Sequence, residues 1–224
     1  MVRAALAAVV GCALLGSCST LQPVEGSDVS VLPTGRARLY LRHDEPRSGP
    51  YAQVLGLATQ GGDEGSVGSG EELRIGGQSL FGPADYDIDF DLRLLQVGIG
   101  GRIAAEKAFI DAELGAEVRE GKLQVTAPGY DSLTKLDGGA FYFAAGVELP
   151  LAERWLAAFR FSGSIGGSDK PTVTQLDGGV RFRVGAGLEL AAGLGYLELA
   201  RTGAGDSDLS FSIFGPRLGL VWGW

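Results

Sequence analysis

Cysteine, histidine and methionine are almost missing from this chain of 224 residues, which holds only Cys12, Cys18, His43 and Met1 of those three types. With no cysteine after Cys18, the remaining chain can build neither a disulfide framework nor a zinc site of cysteine pairs. A single histidine means that a Ser-His-Asp triad must use His43 or nothing. Beyond the first twenty residues no uncharged apolar run reaches 18 residues, which excludes a transmembrane helix there. A basic excess is also lacking. Nineteen Lys and Arg stand against 27 Asp and Glu, a net charge of −8, and no basic stripe marks a nucleic-acid footprint. Proline is sparse at nine residues, whereas glycine reaches 37. That much glycine burdens a helical bundle, at up to about 1 kcal/mol per site, but suits tightly turned or crowded β structure. At 45% hydrophobic residues the chain can bury a core, so wholesale disorder is excluded.

The N-terminus has the form of an export address. Met1-Val2-Arg3 is a short basic start, and Ala4 to Gly16 is an uncharged apolar segment of 13 residues, too short to cross a bilayer as a helix. Residues 1–17 read as a signal peptide, 18–35 as a polar tether without periodicity, and 36–224 as one β domain.

Through that domain the recurring signal is period-2 alternation. Ala37, Leu39 and Leu41 alternate with Arg36, Arg38, Tyr40 and Arg42. Ile88, Phe90, Leu92 and Leu94 alternate with Asp87, Asp89, Asp91 and Arg93. The pattern returns from Ala108 to Val118, Phe141 to Leu149, Trp155 to Ser162 and Leu176 to Ala186. Two further strands have mixed faces. From Ala192 to Arg201, Leu194 and Tyr196 compete with Leu197 and Leu199 for one side. From Leu209 to Trp224 the apolar parity changes, and Gly215-Pro216 reads as a bulge. Eight strands are expected. Short spacers (101–107, 150–153, 188–191) alternate with longer polar ones (120–138, 163–173, 202–208), the rhythm of a closed up-and-down antiparallel barrel. The longest connection, His43 to Ala84, holds a possible extra hairpin from Gln53–Thr59 and Glu72–Leu80, which would raise the count to ten.

Alternation alone does not choose between water and lipid, because a soluble sandwich alternates too. The apolar face decides it here. Phe141, Phe143, Trp155, Phe159, Phe161, Phe182, Phe211, Leu220, Trp222 and Trp224 crowd a soluble barrel of this size but suit a lipid-facing aromatic girdle. The charged faces then turn inward. Arg36, Arg38 and Arg42 would meet Asp87, Asp89, Asp91, Asp111, Glu113 and Glu117, and Arg160, Arg181 and Arg183 would return from later strands to fill the lumen with ion pairs.

Two motifs resemble known envelope proteins. Leu15-Gly16-Ser17-Cys18 resembles the bacterial lipobox, which implies that Cys18 becomes a lipidated N-terminus, and Ser19 after it implies sorting to the outer membrane. Leu218-Gly219-Leu220-Val221-Trp222-Gly223-Trp224 resembles the C-terminal assembly signal of Gram-negative outer-membrane proteins, and Gly146 to Trp155 is similar to a periplasmic hairpin of small OmpA/OmpX/OmpW-type barrels. The resemblance implies a transmembrane barrel in the outer membrane, with Leu220, Trp222 and Trp224 read by the barrel assembly machinery. It places outer-membrane lipids around the wall and, with eight strands, both chain ends on the periplasmic side. The expected role is non-enzymatic, structural or through surface loops, with no cofactor and no metal. The alternatives are a lipid-modifying hydrolase centred on His43, with Ser48 the nearest downstream serine, and a soluble periplasmic lipocalin-like protein binding an apolar ligand. Asp85-x-Asp87-x-Asp89-x-Asp91 spreads its carboxylates along a strand and lacks the glycine and glutamate of a calcium loop. The glycine-rich pieces open no helix and so do not form phosphate loops.

Overall fold

The structure, a computed structural model, describes residues 24–25, 32–41, 48–75, 78–165, 172–185, 187–201 and 209–223. All of its regular structure is β. The strands in chain order are β1 (Val24–Glu25), β2 (Leu32–Tyr40), β3 (Gly49–Val67), β4 (Glu72–Ile75), β5 (Gln78–Phe81), β6 (Ala84–Ala105) and β7 (Ala108–Ala127). They continue with β8 (Tyr130–Lys135), β9 (Gly138–Ala152), β10 (Trp155–Ile165), β11 (Thr172–Gly185), β12 (Leu188–Arg201) and β13 (Leu209–Gly223).

Nine of these close into a barrel in the order β2-β3-β6-β7-β9-β10-β11-β12-β13, and β13 returns to β2. The expected count of eight is therefore corrected to nine. The added wall strand is β3, which lies inside the segment read as a long connection. Its inward side mixes Tyr51 and Gln53 with Leu55 and Leu57, and its outward side sets only Val54 among the small Ala52, Gly56 and Ala58, so no clean two-face pattern advertised it. The hairpin β4–β5 forms a separate two-stranded sheet and adds no wall strand.

Nine strands have a geometric consequence. When neighbours all run antiparallel, an odd number leaves the first and last pointing the same way, and β13 does pair with β2 in parallel, from Arg217↔Leu32 to Gly223↔Arg38. The entry to β2 and the exit from β13 therefore lie at opposite ends of the barrel, which corrects the expectation that both chain ends share one side. The wall also begins at Leu32 rather than Arg36, and β1 adds a short parallel pairing to Phe211 and Ser212 of β13.

Three short connections mark one end, called here the turn rim: Glu106-Lys107, Glu153-Arg154 and the turn at Gly187. Gly187 has a positive φ of 80°, and an added Cβ there would strike the Gly223 carbonyl. The opposite end rises unevenly. Strands β9 and β10 stop early, while β3, β6 and β7 run for 19, 22 and 20 residues. The tops of these long strands, with β8 folded back onto β7, stand above the rest as a collar. The segment 120–138, expected as a loop, is thus the upper part of β7 and the strand β8.

Strand β6 shows how the sequence builds both levels. Its even residues face inward without interruption from Ile88 to Arg102, and its odd residues face outward. The chemistry of the two faces exchanges at Leu94 and Leu95. In the collar the inward side is Ile88, Phe90, Leu92 and Leu94, and the outward side carries Asp87, Asp89 and Arg93. Below, the inward side is Gln96, Gly98, Gly100 and Arg102, and the outward side is Leu95, Val97, Ile99 and Ile103. Strand β7 repeats the exchange. Asp111, Glu113 and Glu117 face inward opposite an outward Ile110, Leu114 and Val118, but higher up Leu123 and Val125 face inward opposite Glu120, Lys122 and Thr126.

The same exchange removes the expected bulge at Gly215-Pro216. The β12–β13 register runs unbroken through Pro216, because Phe211 and Ile213 point into the collar while Leu218, Leu220 and Trp222 point out of the wall below. The competing leucines of β12 separate likewise, with Leu197 and Leu199 inside and Leu190 and Leu194 outside. The collar interior is a contiguous apolar cluster that includes Leu32, Leu57, Phe90, Leu123, Leu136 and Phe211. Phe90 and Phe211 meet edge to face across it with centroids 4.9 Å apart.

Candidate functional site in the barrel lumen

Below the collar the lumen is filled by charge. Arg102 donates through Nε and Nη2 to the two carboxylate oxygens of Asp111, its cross-strand partner, at 2.7 and 2.8 Å. This fork-to-carboxylate geometry is the strongest form of ion pair that side chains make. The same Nη2 lies 2.6 Å from Glu148 Oε1, and Arg181 donates to that oxygen at 2.5 Å. Arg38 completes the group. It lies 3.5 Å from Asp111 and 3.8 Å from Glu148, donates to Gln53 Oε1 through Nε and Nη2, and stacks 4.2 Å over the Tyr51 ring.

A second centre gathers around Glu113. Gln53 donates to both of its oxygens, at 3.0 and 2.8 Å, Tyr142 donates its hydroxyl to Oε1, and Arg160 lies 3.5 Å away. Arg160 also reaches Gln96, whose amide donates to Glu117 at 2.9 Å, and Arg119 pairs with that Glu117. The tyrosine rings fit because β6 carries no side chain beside them. A Cβ at Gly98 would strike the Tyr142 hydroxyl, and one at Gly100 would lie 2.6 Å from Tyr51 Cζ. Toward β13, Asp177 pairs with Arg217 and accepts from Gln175 at 3.0 Å. Burying so many charges is costly unless each finds a partner, and here most do.

The sequence-predicted residues divide. Arg36, Arg38, Glu113, Arg160 and Arg181 are buried inside the barrel, and Arg183, half-buried, lies 3.8 Å from Glu189 near the turn rim. Asp87, Asp89 and Asp91 do not join them. They belong to the outward face of the collar, where Asp91 lies 3.9 Å from the exposed Arg93, so their assignment to the interior network is corrected. The cause is the exchange of faces at Leu94: the aspartate row alternates with apolar side chains that fill the collar, not with side chains that face outward.

Leu220 and Trp222 are exposed on the outer wall near the turn rim, as is Trp155, whereas the exposed Phe159, Phe143 and Phe141 stand progressively farther from that rim on β10 and β9. Phe161 and Phe182 are half-buried, and Phe211 is an exception that points inward. Cys18, His43 and Trp224 lie outside the described residues. The strands that flank His43, β2 and β3, meet at the turn rim.

Asp111 and Glu117, expected in the interior, are buried there as well, and Arg42 lies outside the described residues. Arg102, Glu148, Gln53, Tyr51 and Arg217 are members of the network that sequence reasoning left off its candidate set. Arg102 was legible in principle, because it sits symmetrically with Asp111 about the Glu106-Lys107 turn and continues the inward parity of its strand. Arg217 was hidden by the supposed bulge. Among the described residues no group of three His, Cys, Asp or Glu side chains forms a metal cluster, and no helix long and apolar enough to cross a membrane is present. Searches of family models, curated proteins and solved structures each return no match to this chain.

Proposed function

We propose that the protein is a non-enzymatic outer-membrane β-barrel, tethered through a lipid on Cys18, whose lower half spans the bilayer and whose collar stands in water as a rigid interaction platform. The observation that carries this reading is the outward apolar band beneath the charged collar. On β6 it runs for nine residues from Leu95 to Ile103, on β7 from Ile110 to Val118, and on β11 from Leu176 to Val184. Nine residues at strand rise cover about 26 Å of tilted strand, near the 9–11 residues that a transmembrane strand needs. An apolar wall of this extent facing water would be an aggregation site, whereas hydrocarbon accepts it. Closure of the sheet leaves no unpaired edge in the lipid.

The reading also relates the lipid to the collar. Cys18 precedes Val24 by six residues, about 20 Å at full extension, and Val24 pairs with Phe211 at the collar level. A lipid on Cys18 then enters the leaflet on the collar side, with the turn rim and the C-terminal strand end across the membrane. Outer-membrane lipids contact the band, the assembly machinery reads Leu220, Trp222 and Trp224, and the charged collar is the surface offered to further partners.

Refolding into detergent micelles tests the proposal. The folded chain is expected to migrate faster than the boiled chain on a gel, and a chain lacking residues 1–17 with Cys18→Ser is expected to precipitate without detergent. A chain that stays monomeric and dispersed in plain buffer sinks the reading.

A further inference from the structure

Arg36 is the arginine that the lumenal network does not account for. It projects inward from β2 and is 9% exposed, its Nε has no hydrogen-bond partner, and no carboxylate among the described residues lies within ion-pair distance of it. Arg160, Arg181, Arg38 and Arg217, all of its own sign, are among the charged groups that act on it. The nearby acids are already engaged: Glu148 by Arg102 and Arg181, Glu113 by Arg160 and Gln53, Asp177 by Arg217 and Gln175, and Glu189, on the same cross-strand row as Arg36 through Val221, by Arg181 and Arg183.

Beside Arg36 is a cavity of about 50 Å³ lined by Thr34, Arg36, Arg160, Asp177, Arg181 and Arg217, with the glycine-rich backbone of β11 and β12 behind it. Four arginines and one aspartate thus line one small space, together with apolar residues such as Phe159 and Val180. A buried cation surrounded by cations is among the costliest arrangements a fold can hold, and an ion of opposite sign is the direct remedy. The volume exceeds the roughly 10–15 Å³ that one water requires but leaves little room for a large organic anion.

We propose that this cavity binds one small inorganic anion of the size of chloride, held by Arg36 and the guanidiniums of Arg160, Arg181 and Arg217. The ion completes the charge balance of the lumen, so the barrel is an anion-dependent fold. The inference stands on the lumen alone, and a barrel that failed to enter bilayers would still take the ion.

The full chain, refolded in detergent, tests it. Its thermal midpoint is expected to rise saturably with sodium chloride relative to sodium gluconate at equal ionic strength, and Arg36→Met is expected to abolish that difference. Equal midpoints of the parent in the two salts overturn the proposal. Should Arg36→Met fail to fold, bromide-soaked crystals of the parent decide the matter: an anomalous peak among the four guanidiniums supports the site, and a water or an empty space there refutes it.

Discussion

The two halves of this barrel use one wall and opposite chemistry. In the lower half the lumen carries Arg102, Asp111, Glu113 and Glu148 while Val97, Ile99 and Leu114 face out; in the collar Ile88, Phe90 and Leu123 fill the inside while Asp87, Asp89 and Lys122 face out. Strands β6 and β7 pass through both levels without losing register. Backbone pairing is therefore indifferent to which parity is apolar, and that choice alone distinguishes the two levels.

Substitutions that confuse the two levels test this contrast most severely. Arg102→Ala strips Asp111 of its closest cation and Glu148 of one of its two close ones in a buried site, and a loss of about 3–5 kcal/mol is expected in denaturant unfolding from detergent. Phe90→Ala opens the collar core opposite Phe211 and is expected to cost about 3–5 kcal/mol by the same measurement. If the first loss is under about 1 kcal/mol, the lower lumen is a wet channel rather than a dry ion network.

A paired comparison on one face of β7 sharpens the boundary. Leu114→Arg places a charge in the apolar band and is expected to cost about 2–4 kcal/mol when the barrel is refolded into bilayers. Thr126→Arg, on the same face in the collar, is expected to stay within about 0.5 kcal/mol. Equal effects at the two positions would remove the membrane boundary from this wall. The smallest effect is expected for Asp89→Asn, within about 0.5 kcal/mol, because its carboxylate faces solvent. A loss of several kcal/mol there would return the aspartate row to the interior.

The closed antiparallel barrel was legible in the sequence because most wall strands carry a two-residue period. The lower network was partly legible for the same reason, since Arg36, Arg38, Glu113, Arg160 and Arg181 all lie on the charged parity of their strands. What misled was the assumption that each strand keeps one apolar face along its whole length. The signs of a change were present: Leu197 and Leu199 conflict with Leu190 and Leu194, and Phe211 and Ile213 conflict with Leu218 and Leu220. A bulge and an exchange of faces produce the same parity shift in a one-dimensional pattern, and only the unbroken β12–β13 register tells them apart. Strand β3 was obscured for a different reason, because glycine and alanine on its outer side leave no apolar stripe to read.

The parallel seam between β2 and β13 sets the order in which the wall can form. Every other neighbouring pair in the wall joins strands consecutive around it through a turn, a loop or a short hairpin, and can zip locally. This pair joins the first wall strand to the last, across nearly the whole sequence, and parallel pairing is slightly weaker per residue. Closing it must wait until β13 has been synthesised, so of all the pairings in the wall this is the one that cannot begin early.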